Sequence, residues 1–252
     1  MKIKKLILDL CIVLCICTFA FSAFKIFEFQ IEMRKIEQEQ KEIEALLQTT
    51  PEIDTETEEE PSRFTPASFD NLKATNKDYV CYLEFDSGLI SLPIVQTYDN
   101  DYYLQHSFKK KYSSQGTPFV DNRNLLNDDN ITMYGHYVYA DTSKMFSPLG
   151  VLRKKENYEA NKILRLHFRD ETRTYVVAYV YEYDYTKAKY DYTIRNFASQ
   201  EALDQFFAYP NKQQYYDTGV DITYGDSFIT LQTCVRNQET KRLIVVAKEI
   251  YE

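Results

Sequence analysis

The sequence predicts a mainly β domain, a barrel decorated by helices, behind an apolar N-terminal segment. Three observations carry that expectation. Short segments with strand character outnumber helical ones and do not alternate with helices as βα units would. Residues 163–169 alternate strictly, with Leu164, Leu166 and Phe168 on one face, the period of a half-buried strand. Only two stretches after residue 64 carry helix signals.

From the N-terminus, Lys2, Lys4 and Lys5 precede a nearly unbroken apolar run over 6–24, with Asp9 its one charge. Nineteen helical residues span roughly 28 Å, close to the thickness of a bilayer core. Basic residues before the run and few after it predict a cytoplasmic segment 1–5, a membrane anchor and an exported remainder. A cleaved signal peptide competes, because Ala20-Phe21-Ser22 offers small residues at cleavage-like spacing. Either reading puts the rest outside the cytoplasm. Residues 25–63 read as a stalk and linker. Phe29, Met33, Ile36, Gln40, Ile43 and Leu47 fall at alternating spacings of four and three, a short heptad pattern. Glu56, Glu58, Glu59 and Glu60 crowd the stretch 51–61, a solvated acidic linker.

Residues 64–252 form one domain of ordinary size. A helix is expected over Pro66–Thr75, and a second from an N-cap at Ser199, stopping before Pro210. Strands are expected over 79–85, 174–183, 228–233 and 243–250, and an apolar run ends at Gly135. The chain holds 30 Lys and Arg against 38 Asp and Glu, a net charge of −8. That balance excludes the basic surface a nucleic-acid partner requires.

Three of the five cysteines lie in the apolar run, leaving Cys81 and Cys234. Cys81 reads as a small core residue in a buried strand, and a domain of this size needs no disulfide. Cys234 ends the alternating segment Phe228-Ile229-Thr230-Leu231-Gln232-Thr233, with Ile229 and Leu231 toward the core and Cys234 on the opposite side. On this segment alone the plainer reading is a buried core cysteine. A thiol presented to a cleft needs a nearby positive group to become a thiolate nucleophile, and the next strand opens with Arg242. Among the three histidines, His167 falls on the polar face of its strand and reads as exposed. His106 reads as a hydrogen-bonded structural residue. His136 follows a glycine at the tip of an apolar run, which makes it the best candidate acid or base. Spacing alone leaves open whether it meets Cys234.

These residues resemble a known family. Thr-Leu-x-Thr-Cys at 230–234, Tyr-Gly-His at 134–136 and Arg-x-x-Val-Val at 242–246 look like the signature of sortases, bacterial cysteine transpeptidases. Class B is indicated by Asn-Lys-Asp-Tyr-Val at 76–80, Leu-Pro-Ile-Val-Gln at 92–96, Asp-Asn-Asp-Tyr-Tyr-Leu at 99–104 and Phe-Val-Asp-Asn-Arg-Asn at 119–124. The similarity covers residues 69–251. It implies a closed eight-stranded β-barrel with an N-terminal helix and a helix inserted before the cysteine strand. It implies Cys234 as nucleophile, His136 as general acid/base and Arg242 as electrophilic partner, with neither metal nor other cofactor. Thr233, Gln232 and Tyr137, beside the catalytic positions, are expected to contact substrate. Gln232 stands where serine is frequent, Tyr137 where asparagine is common, and Cys81 where glycine is usual. The implied partners are secreted proteins bearing a sorting motif, and an acceptor amine of a peptidoglycan precursor or a pilin. A cysteine hydrolase and a non-catalytic binding module on the same barrel are the rival readings.

Overall fold

The computed structural model describes residues 2–48 and 62–251, in two compact units. The first is almost entirely one helix, α1, Lys2–Leu47. It is long and apolar enough to cross a membrane, and Leu10, Phe19 and Phe21 along it are exposed. The apolar run and the heptad stretch therefore belong to one uninterrupted helix. The acidic linker at 51–61 lies outside the described residues.

The second unit is a closed barrel of eight strands. In chain order these are β1 (Tyr79–Phe85), β2 (Ser91–Val95), β3 (Phe119–Val120), β4 (Asn130–Tyr134), β5 (Ile163–His167), β6 (Thr172–Asp184), β7 (Phe228–Val235) and β8 (Gln238–Ile250). Around the barrel they run β1-β2-β3-β4-β7-β8-β6-β5, and β5 closes back onto β1. Neighbours are antiparallel except β2 with β3 and β4 with β7. The parallel β4–β7 pair matters most, because it carries two chain segments out of the barrel at the same end.

Helices decorate this barrel as expected. The helix α2 (Pro66–Thr75) begins at Thr65, whose side chain accepts from the Ser68 N–H while Ser68 answers in a capping box. A single turn, α3 (Tyr158–Asn161), precedes β5. The inserted helix α4 (Gln200–Gln213) starts from Ser199, whose hydroxyl accepts from the Ala202 N–H. The helix was expected to stop before Pro210, but it runs on through Pro210 to Gln213. Pro210 costs the bond its missing N–H would make, yet it is buried with Phe206 and Phe207 on the face that packs inward. Burial of that face outweighs one lost hydrogen bond.

The barrel has two apolar layers. Leu83, Phe85, Ile94, Met133, Leu166, Leu231 and Val245 fill the interior. Tyr179, Tyr181, Phe206, Phe207, Phe228 and Ile244 form a second layer under α4. Alternation along β7 holds as read, with Ile229 and Leu231 inward. Its other face is covered rather than open, since Phe228 packs against Phe207 with ring centroids 5.4 Å apart.

His167 corrects the sequence reading. It was expected on an exposed face but is only 8% exposed. Its ring stacks on Phe64 with centroids 3.6 Å apart, and Nδ1 lies 3.0 Å from the Thr172 hydroxyl. Burial, reinforced by Arg165 and Arg63, lowers its pKa from 6.5 to about 4. The unfolded chain therefore binds more protons than the folded one between those values. This contribution is complete above pH 6.5 and is lost as the pH falls toward 4, up to about 3 kcal/mol. Urea unfolding of the full-length chain in detergent, followed from pH 7 downward, is expected to show that loss, and His167→Phe is expected to flatten it. An unchanged slope in the variant would assign the loss to other groups.

Candidate active site

Two strand ends and one cross-strand pair build the site. The parallel register sets Tyr134 of β4 against Gln232 of β7, and the Gly135 N–H donates to the Gln232 carbonyl at 3.0 Å. His136 thus leaves the barrel beside the strand that carries Cys234. Gly135 is required there by packing: a Cβ would lie 2.4 Å from the Phe146 ring. On the other side of β7, the antiparallel register pairs Cys234 with Arg242 of β8. A thiol and a guanidinium on directly opposed positions project from the same sheet face.

A cleft of about 300 Å³ opens at this end of the barrel, and Cys234, His136, Arg242 and Gln232 line it with Asn100, Leu104, Phe119, Tyr134 and Gly135. Cys234 is half-buried and free, whereas Cys81 is fully buried on β1. Burial pushes the Cys81 thiol far above its ordinary range, so it is an inert core group.

His136 Nε2 donates to the Leu104 carbonyl at 2.8 Å, which fixes the ring's orientation and leaves Nδ1 as the ring nitrogen not committed to this backbone bond. The loop carrying Leu104 is itself tied down. Tyr103 accepts from Asn76 and donates to Asp78, both at 2.8 Å. Gly116, at φ +61, passes so close that a Cβ would meet the Tyr103 carbonyl oxygen at 2.3 Å. The buried Asp121 fastens this loop to β4. It accepts from Tyr134 at 2.7 Å, from Asn100 at 3.2 Å and twice from the Arg123 guanidinium. Burial alone would raise its pKa, but Arg123 and Tyr134 hold it down at about 2. It therefore stays ionised as a fixed acceptor.

Arg242 donates through Nη1 to its own hairpin, to the Glu239 and Lys241 carbonyls at 2.8 and 2.9 Å. Gln232 receives the Tyr192 hydroxyl at 3.4 Å. Burial pushes that phenol up to about 12, against the pull of Arg242, so Tyr192 stays a neutral donor.

Of the six residues read from the sequence, four line the cleft: Cys234, His136, Arg242 and Gln232. Thr233 points the other way and is fully buried, its hydroxyl without a partner among the described residues. Tyr137 is half-buried, pairs with Met145 and packs against Tyr139 with ring centroids 5.2 Å apart. Neither lines the cleft. His106 bonds through Nδ1 to the Tyr102 carbonyl at 2.6 Å and stacks on the Tyr102 ring, the structural role expected of it. Asn100, Leu104 and Phe119 were not singled out as site residues, although all three sit in segments that carry the class B resemblance.

A closed mixed barrel with a cysteine, a histidine and an arginine around one cleft defines a class, and comparison identifies it. The family model described as Sortase domain matches residues 83–250, and this chain belongs to the sortase family of cysteine transpeptidases. Sortase B of Staphylococcus aureus is 30% identical over 186 residues, covering 72% of this chain and 74% of the relative. Sortase B of Listeria monocytogenes is 28% identical over 182 residues, 71% of this chain and 72% of the relative. Among solved structures, the Staphylococcus aureus sortase B–substrate complex superposes with a TM-score of 0.72 at 26% identity, over 89% of this chain and 98% of that one. Clostridium perfringens sortase B gives a TM-score of 0.66 at 31% identity, over 72% and 99%. Within the family, the chain is a class B sortase.

Proposed function

We propose that the protein cleaves a sorting motif after threonine in secreted proteins and joins the new acyl end to an amine of the cell wall or of a pilin. One observation carries the assignment of the chemistry. Cys234 and Arg242 face each other across β7 and β8, at the cleft that His136 enters from the tip of β4. The Cys234 thiolate attacks the carbonyl after threonine, forming a C–S bond and a tetrahedral oxyanion. Arg242 stabilises that charge, using donors other than the Nη1 already committed to its hairpin. Collapse breaks the C–N bond, and His136 gives a proton to the departing amine. The acceptor amine then attacks the thioester, His136 takes its proton, and the thiolate leaves.

Residues 6–24 serve in this reading as an uncleaved anchor, with 1–5 cytoplasmic, 25–63 as stalk and linker, and 64–252 as the extracellular catalytic domain. The exposed apolar side chains of α1 support it, since lipid covers them at no desolvation cost. Tethering keeps the cleft close to substrates leaving the secretion pathway.

The test is partition of the intermediate. With a peptide selected from a cleavage library, hydroxylamine is expected to raise turnover and to appear as a hydroxamate on the product. Turnover that ignores the amine and yields only free acid supports hydrolysis instead.

A further inference from the structure

Across three strands the site forms a row on one sheet face. Cys234 of β7 pairs with Arg242 of β8, and Arg242 pairs with Tyr183 of β6. Two residues beyond Tyr183, Tyr185 falls on the same face and diagonal to Arg242, within reach of a long side chain. Its N–H donates to the Thr240 carbonyl at 3.2 Å, carrying the pairing one residue past β6.

Tyr185 is 48% exposed, and its aromatic face is in use. The Arg242 Cζ lies 5.2 Å from the ring centroid, the geometry of a cation held over a π face. The Tyr185 hydroxyl donates to the Glu239 carbonyl at 3.5 Å, and the same carbonyl accepts from Arg242 Nη1 at 2.8 Å. Ring and hairpin carbonyl thus grip the guanidinium from two sides. Tyr183 does not share this role: it is buried in the aromatic layer, and its hydroxyl donates to the Ala188 carbonyl.

We propose that Tyr185 is a positioning residue for Arg242, holding the guanidinium at the wall of the cleft it shares with Cys234 before substrate arrives. An unrestrained arginine side chain must lose rotamer freedom to reach a defined place. The clamp removes part of that cost in advance. Tyr185 does not line the cleft, so its effect is exerted through Arg242. The inference rests on the placement of Cys234 and Arg242 given above.

Alkylation tests it without a known substrate. In the full-length chain in detergent, modification of Cys234 by iodoacetate and by iodoacetamide is followed by peptide mass spectrometry. The anionic reagent senses a cation held in the cleft that the sulfur lines, whereas a change in thiolate fraction affects both reagents alike and cancels in their ratio. Tyr185→Leu is expected to lower the iodoacetate-to-iodoacetamide rate ratio about three- to fivefold, toward the value of Arg242→Gln. Tyr185→Phe is expected to keep it near the parent value, and Tyr185→Leu to add nothing in the Arg242→Gln background. A ratio unchanged in Tyr185→Leu overturns the proposal, as does an equal fall in Tyr185→Phe. Either result leaves the roles of Cys234 and Arg242 standing, because those are tested by turnover.

Discussion

Cys234→Ala is expected to eliminate both cleavage and ligation, a loss of at least about 10³-fold and down to background. The other cysteine of the barrel cannot replace the sulfur. Cys81 is fully buried on β1, its thiol pushed far above the range in which it ionises. Mass spectrometry of the parent incubated with peptide and no acceptor is expected to show a thioacyl adduct at Cys234, absent from the variant. Cys81→Ala is the matched control. It opens a small cavity, costing about 1 kcal/mol of stability, and is expected to leave turnover intact. Product formed by Cys234→Ala at the parent rate would remove the nucleophile assignment altogether.

The second large effect is expected at Arg242. Removal of one preorganised donor to a developing oxyanion costs about 10²–10³ in kcat, and Arg242→Gln is expected in that range. Arg242→Lys keeps the charge but loses the planar fork, in which Nη1 holds the Glu239 and Lys241 carbonyls while the other nitrogens stay available. It is expected to fall between parent and Gln. Separate kcat and KM values on a library-selected peptide decide the role. A loss confined to KM would make Arg242 a substrate clamp rather than a stabiliser of the transition state.

Where the chain's local pattern carried the information, the sequence could be read. The alternation along β5 and β7, the Thr65 and Ser199 caps and the glycine before His136 are each written in a few neighbouring residues. The pairing of Cys234 with Arg242 was not countable, because the strands were read as 228–233 and 243–250 and a register shift between Cys234 and Val235 breaks the count from the turn. Long-range covering was not legible either. His167 sits on the polar side of its strand by periodicity, yet Phe64, 103 positions earlier, lies on it and closes it from water. Two-residue β3 is too short for any periodicity to announce. Thr233 and Tyr137 are next to catalytic positions in sequence, but strand alternation turns Thr233 inward and a local bridge carries Tyr137 off the cleft. Adjacency along the chain was there a poor guide to adjacency in space. The Leu104 carbonyl escaped for another reason: a backbone acceptor leaves no mark in residue identity.

The burial of Cys81 also bears on oxidative damage. Within the barrel the sulfur at 234 has no second reachable thiol with which to close an internal disulfide. A sulfenic acid formed there has no resolving neighbour in the barrel, so its rescue depends on a thiol delivered from outside.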